Sequence, residues 1–157
     1  MNNNIIPRAF TVEYSGIVNT LETKVRISEA FNPESHIDVI HPPTHEFNSV
    51  WDTGATNSAI SSNVVRELGL TPYGYEIVYH AGGMSIVDTY LINVIIPNNI
   101  IFISLLVTEM LIDVDVLIGM DIISTGDFTI TVPQGKTKFS FQIPSTHDTD
   151  YMKSENS

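Results

Sequence analysis

The feature that most constrains this chain is its punctuation: short runs rich in β-branched and aromatic residues, broken by turn residues throughout its length. The runs read "FTVEY", "IVNTLETKVRIS", "HIDVIH", "FNSVW", "YEIVYH", "MSIVDTYLINVII", "IIFISLLVTEML", "VDVLIG", "DFTITV" and "KFSFQI". Turns such as Tyr14-Ser15-Gly16, Pro97-Asn98-Asn99 and Pro133-Gln134-Gly135 separate them. This spacing predicts an all-β barrel or sandwich rather than an alternating α/β chain, with hairpins joining most neighbours. Two segments depart from the pattern. In "SSNVVRELGL", Val64, Val65 and Leu68 lie at helical spacing, Ser61 or Ser62 can cap the start, and Gly69 suits the left-handed end. A shorter turn is expected from Met120 to Ser124, ending at Gly126.

With 157 residues, 43% of them hydrophobic, the chain can bury one core. A single domain is expected over 1–143, with 1–43 supplying N-terminal strands or an extension, and a disordered tail over 144–157, where "STHDTDYMKSENS" lacks an apolar face. Seven basic against 18 acidic side chains give a formal net charge of -11, which repels a phosphate backbone and argues against a nucleic-acid partner. The absence of cysteine excludes disulfides and thiolate chemistry. "MNNNIIPRAF" has neither the basic leader nor the apolar stretch of a signal peptide, so a cytoplasmic location is expected. The most apolar region, "YLINVIIPNNIIFISLLVTEMLIDVDVLIGM", is interrupted by Pro97, Asn98, Asn99, Glu109, Asp113 and Asp115 before it reaches the ~20 residues of a membrane helix. It reads as core strands, with no membrane partner.

The apolar run Phe47 to Trp51 leads straight into Asp52, Thr53 and Gly54. A carboxylate at the end of a buried strand is costly to ionise unless hydrogen bonds or a second group share the burden. Asp-Thr-Gly alone is ordinary turn chemistry. Here, however, it extends to "DTGAT" and precedes a capped helix. Gly82 and Gly83 then mark a hairpin tip in "YHAGGMS", and "VLIGMDII" places Gly119 between an aliphatic run and a short helix.

These spaced signals resemble the retropepsin-like aspartic proteases, above all single-domain bacterial members that read Trp-Asp-Thr-Gly-Ala-Thr early and Leu-Ile-Gly-Met-Asp late. The resemblance runs from about Phe10 to Ile143. It implies a closed β-barrel-like lobe with one short helix and a homodimer whose active site lies on the two-fold axis. The implied activity is aspartic endopeptidase, needing no cofactor or metal and acting on a peptide or protein substrate. Such hydrolysis uses two carboxylates sharing one proton, since like charges about 3 Å apart cannot both ionise. One activates a water while the other, protonated, polarises the scissile carbonyl. One Asp-Thr-Gly per chain means that the second carboxylate comes from a second copy, and a monomer should be inert.

By resemblance, Asp52 is the catalytic acid and base, and Thr53 bonds the partner's loop across the dimer axis. Gly54 lets the backbone approach the carboxylate. Ala55 and Thr56 form the floor, with the Thr56 hydroxyl a candidate donor to the carboxylate. The hairpin from about Tyr75 to Thr89 matches the flap, with fewer glycines than a retroviral one. His80, Ala81, Gly82, Gly83 and Met84 are its substrate-facing or tip residues, and Gly119 supports the loop from behind. Family members commonly interleave their termini at the interface, for which "KFSFQI" is the candidate strand.

Plainer readings account for the other conspicuous residues. Trp51 alternates away from Asp52 and should pack in the core. Two prolines between His41 and His45 forbid the helix that would align them as metal ligands. Leu117 and Ile118 stand where a calcium loop beginning at Asp113 and Asp115 needs a ligand and a glycine. Ser61 and Ser62 suit helix capping better than nucleophilic catalysis. A catalytically silent dimer that binds peptides in the same cleft, or a plain dimerisation module, remains the alternative function.

Overall fold

The computed structural model describes residues 6–31, 41–80, 82–111 and 113–153. "HIDVIH" falls mostly, and Ala81 wholly, outside the described residues. Ten strands are formed: β1 (Arg8–Glu13), β2 (Leu21–Glu29), β3 (His45–Trp51), β4 (Ala59–Ser61), β5 (Gly74–His80), β6 (Gly83–Ile96), β7 (Ile100–Met110), β8 (Val116–Ile118), β9 (Asp127–Thr131) and β10 (Lys138–Ile143). Two helices join them, α1 (Ser62–Leu68) and α2 (Met120–Ile123). The larger sheet runs β2-β3-β8-β4-β7-β6-β5, and a β2–β6 pairing closes six of its strands into a ring, leaving β5 outside as half of a hairpin. A second sheet, β1-β10-β9, lies against this barrel. The expected all-β class and closed barrel are therefore present.

The hairpin expectation is corrected. Antiparallel neighbours join β2 to β3, β5 to β6, β6 to β7 and β9 to β10, while β3 pairs with β8 and β4 with β7 in parallel. Parallel pairing requires a long crossover, so turn spacing alone does not reveal it. The three-residue β4 is too short to show a period. Its residues are nonetheless all buried, between β7 and β8.

Alternation is clearest in β3, where Phe47, Ser49 and Trp51 point inward. Trp51 stacks on Phe128 at 5.8 Å and 7°, and Phe10, Phe139 and Phe141 surround it, so it packs in the core as its position predicts. Its indole N–H donates to Thr23 Oγ1 at 2.9 Å. This aromatic cluster joins the second sheet to the barrel. Helix α1 starts and stops on the expected signals: Ser61 accepts from the Val64 amide, and Gly69 takes φ 62°. Ser62 and Tyr90 both donate to Glu109, which ties the helix start to β6 and β7. Burial and that bond to Glu109 push the Tyr90 phenol up to about 12.

After Pro144 the chain makes contacts that its composition does not announce. Ser145 Oγ and the amides of Thr146 and His147 all donate to the Asp127 carboxylate at the start of β9. The Ser145 hydroxyl first, then the Thr146 amide, hold that carboxyl down at about 2. Among the described residues no helix is long and apolar enough to cross a membrane.

Phe139 is fully buried between Trp51 and Phe10, so Phe139→Ala is expected to cost about 3–5 kcal/mol. Urea unfolding at fixed protein concentration checks this, and a loss below about 1 kcal/mol would show that the second sheet is not anchored through this cluster.

Candidate active site

Strand β3 delivers Asp52 to the surface through two backbone restraints. The Asp52 amide donates to the Ile118 carbonyl at 2.9 Å, continuing the parallel β3–β8 pairing, and its own carbonyl accepts from Ala55 at 3.2 Å to close a turn. Inside that turn the Gly54 amide donates to Asp52 Oδ1 at 2.8 Å. This is the hydrogen bond an ionised carboxylate needs at a strand end. A Cβ on Gly54 would stand 3.1 Å from the same oxygen, tight enough to press on the carboxylate. Asp52 is half-buried, whereas Thr53 and Gly54 are exposed. This edge of the loop thus faces outward.

Behind the loop, β8 ends at Gly119, whose Cβ would lie 2.6 Å from the Asn57 carbonyl carbon and oxygen. Only a residue without a side chain allows that approach. The Gly119 amide donates to Ser58 Oγ at 3.0 Å, and Ser58 Oγ donates in turn to Asp121 Oδ1 at 2.7 Å. Asp121 also accepts the amides of Ser58 and Ile122, each at 2.9 Å. The Ala55 and Thr56 carbonyls accept the amides of Met120 and Asp121. Thr56 therefore enters this network through its carbonyl, and the bond that reaches the Asp52 carboxylate comes from Gly54.

Sequence reasoning assigned no role to Ser58 and Asp121. The available signal was an acidic residue in the first turn of a very short helix, a position that can accept backbone amides.

The β5–β6 hairpin pairs His80 with Gly83, and Gly83 takes φ 123°, a region open mainly to glycine. Strand alternation places Met84 and Ile86 on the same face of β6 as the buried Tyr90, Ile92 and Val94. Tyr79 and Ile77 of β5 sit opposite Met84 and Ile86. All four are exposed, by 46% for Ile77 and 66–79% for Met84, Ile86 and Tyr79. Asp88, also exposed and on the same face, separates this apolar overhang near the hairpin tip from the buried Tyr90. Of the overhang's residues, only Met84 stood among the sequence candidates. The periodicity of β6 read past Tyr90 toward the tip could have found Ile86.

A concavity of about 910 Å³ lies elsewhere. It is lined by Glu22, Asn48, Ser61, Asp113 and Asp115 among others, and by no residue of the Asp52–Thr56 loop. Among the described residues no group of three or more His, Cys, Asp or Glu side chains is placed to hold a metal ion.

Residues 44–122 match the family model described as aspartyl protease. The chain belongs to the aspartyl protease family. The matched span contains the Asp52 loop, the hairpin and the Gly119–Asp121 support; β1, β2, β9 and β10 lie outside it. Among solved structures the chain is similar to a retropepsin-like aspartic protease from Rickettsia conorii, with a TM-score of 0.52 and 12% identity over 87% of this chain and 95% of that one. At that identity the likeness is one of fold, and it identifies the barrel and its hairpin as retropepsin-like. Comparison with curated proteins finds no match.

Replacing Asp121 by alanine leaves the buried Ser58 amide and hydroxyl without their acceptor. Asp121→Ala is expected to lose about 2–4 kcal/mol of stability in denaturant unfolding. A loss under about 0.5 kcal/mol would show that the aspartyl protease loop is held by other means.

Proposed function

We propose that the protein is an aspartic endopeptidase whose reactive centre combines the Asp52 carboxylates of two copies of the chain. The observation that carries this reading is the setting of Asp52: a half-buried carboxylate with one oxygen held by the Gly54 amide, in a buttressed loop that opens outward. A dyad mechanism needs two such groups sharing a proton, and each chain contributes a single Asp-Thr-Gly. Across a two-fold axis the second copy presents its own Asp52, and the exposed Thr53 of each loop stands where the other loop would meet it.

One Asp52 takes a proton from a water lying between the pair, and that water attacks the scissile carbonyl. The other, protonated, donates a hydrogen bond to the carbonyl oxygen as the tetrahedral intermediate forms. Proton return to the amide nitrogen then releases the two fragments. The substrate peptide lies extended between the Asp52 loop and the β5–β6 hairpin, pairing its backbone as an added strand. Its side chains meet the overhang formed by Ile77, Tyr79, Met84 and Ile86, which favours apolar residues near the cleaved bond.

Incubating the protein and its Asp52→Asn variant with a complex peptide library from about pH 4 to 7, and reading new termini by mass spectrometry, tests this directly. Cleavage by the wild type and a loss of at least about a thousandfold in the variant are expected. Equal cleavage by both would overturn the assignment of Asp52. No cleavage by a confirmed dimer would favour a silent peptide-binding module.

A further inference from the structure

We infer that Arg8, Lys24 and Arg26 form a docking site for an acidic peptide segment, at the opposite end of β3 from Asp52. Taking that segment to be part of a substrate rests on the endopeptidase reading; the binding itself does not.

The chain has 18 acidic side chains against seven basic ones, and three of the seven gather around the Pro97–Asn99 turn that joins β6 to β7. Asn98 and Asn99 both take left-handed backbone, with φ 61° and 54°, a region that asparagine tolerates better than most residues. Neighbouring strands pin the turn in that shape. Asn98 Nδ2 donates to the Ala9 carbonyl at 2.9 Å, Arg8 Nη1 donates to the Asn99 carbonyl at 2.6 Å, and Arg26 Nη2 donates to Asn99 Oδ1 at 2.8 Å. Two guanidiniums, one from β1 and one from β2, thus converge on a single neutral residue.

Their charge is not matched from within the chain. In the β2–β3 register Arg26 stands opposite Glu46, yet that carboxylate lies 3.7 Å from Lys24 Nζ, in an exposed contact of the kind that contributes little. Among the described residues neither Arg8 nor Arg26 forms an ion pair with a carboxylate. The repulsion between the two guanidiniums is left uncompensated, and an anion seated beside Asn99 relieves it while taking up their remaining N–H donors.

The layout favours a peptide over a single small oxyanion. Beside the turn is a hollow of about 220 Å³ whose lining includes Lys24, Arg26, Glu46, Asn98 and Asn99. Lys24 and Arg26 lie two residues apart on the exposed face of β2, about 6.7 Å along the strand. Alternate side chains of an extended peptide have the same spacing, so Glu-x-Glu or Asp-x-Asp presents its carboxylates in step with these two cations. The net charge of -11 works against such a segment over the surface as a whole, which makes this cluster of cations selective for where it settles. Six residues lead from Glu46 to Asp52, about 20 Å of strand, so about six extended residues of substrate connect the acidic segment to the cleaved bond.

Binding is measured first, on full-length Asp52→Asn protein, by fluorescence anisotropy of a labelled Glu-Ser-Glu-Ser-Glu peptide and its glutamine counterpart at low salt. The acidic peptide should bind at least about tenfold more tightly than the neutral one. Arg8→Gln/Arg26→Gln should abolish that preference, and Lys24→Gln, which removes no bond to the turn, should reduce it about threefold. Equal binding of the two peptides, or a preference unchanged in both variants, would overturn the site. Tighter binding of inorganic phosphate or of a single-stranded oligonucleotide than of the acidic peptide would overturn the choice of ligand. Catalysis then tests the link to substrate. In the wild type, Glu-x-Glu placed about six residues to either side of a cleaved bond should lower KM about tenfold with kcat unchanged, and the double variant should lose only that gain. Cleavage with no difference in KM would overturn the substrate role and leave the endopeptidase reading intact. Binding through Arg8 and Arg26 without cleavage of any peptide would uphold the docking site and overturn the endopeptidase reading.

Discussion

The Asp121 carboxylate accepts three hydrogen bonds, from the Ser58 amide, the Ser58 hydroxyl and the Ile122 amide, and the order of the active-site region follows from them. Through Ser58 the same network reaches the Gly119 amide, whose Cα lies so close to Asn57 that no side chain fits. The loop that carries Asp52 is thereby pinned to the strand behind it, not left to find its shape when substrate arrives. Preorganisation of this kind serves the proposed reaction, in which the Asp52 carboxylate has to be held before substrate is attacked. Asp52 itself needs little further support: one amide from Gly54 and its place at the end of β3.

How far the sequence foretold this arrangement depended on the range of each interaction. Strand alternation in β3, the Ser61 cap and the Gly69 stop of α1 are local, and all were legible. The barrel closure was legible only through the spacing of Asp-Thr-Gly, the glycine pair and Leu-Ile-Gly-Met-Asp. The parallel pairings β3–β8 and β4–β7 join segments distant in the chain, and no hairpin signal reports them. Ser58 was silent for the same reason, and Asp121 was visible only as the end of Leu-Ile-Gly-Met-Asp, because the bond that gives both their role spans residues 58 to 121. Of the overhang only Met84 was singled out; Tyr79 and Ile86 escaped notice because exposed apolar residues near a hairpin tip read as ordinary strand.

The chain invests its N-terminal strand in an unexpected place. By pairing with β10, β1 removes that strand from the set of available edges, and the aromatic cluster around Trp51 fixes the resulting sheet to the barrel. Strand β9, on the other side of β10, lines a groove together with Thr53. The core packing and the Asp52 loop are therefore connected, since Trp51 stacks on Phe128 of β9 and immediately precedes Asp52.

The central claim is that two Asp52 carboxylates make one reactive centre, and subunit mixing tests it most directly. Wild-type and Asp52→Asn chains are mixed in equal amounts at constant total concentration, allowed to exchange subunits, and assayed on a peptide that the wild type cleaves. If both carboxylates are required, activity falls to about a quarter of that of the same total of wild-type chain, the share of dimers with two intact copies. A fall only to about a half would show that each chain works alone, and would contradict the account.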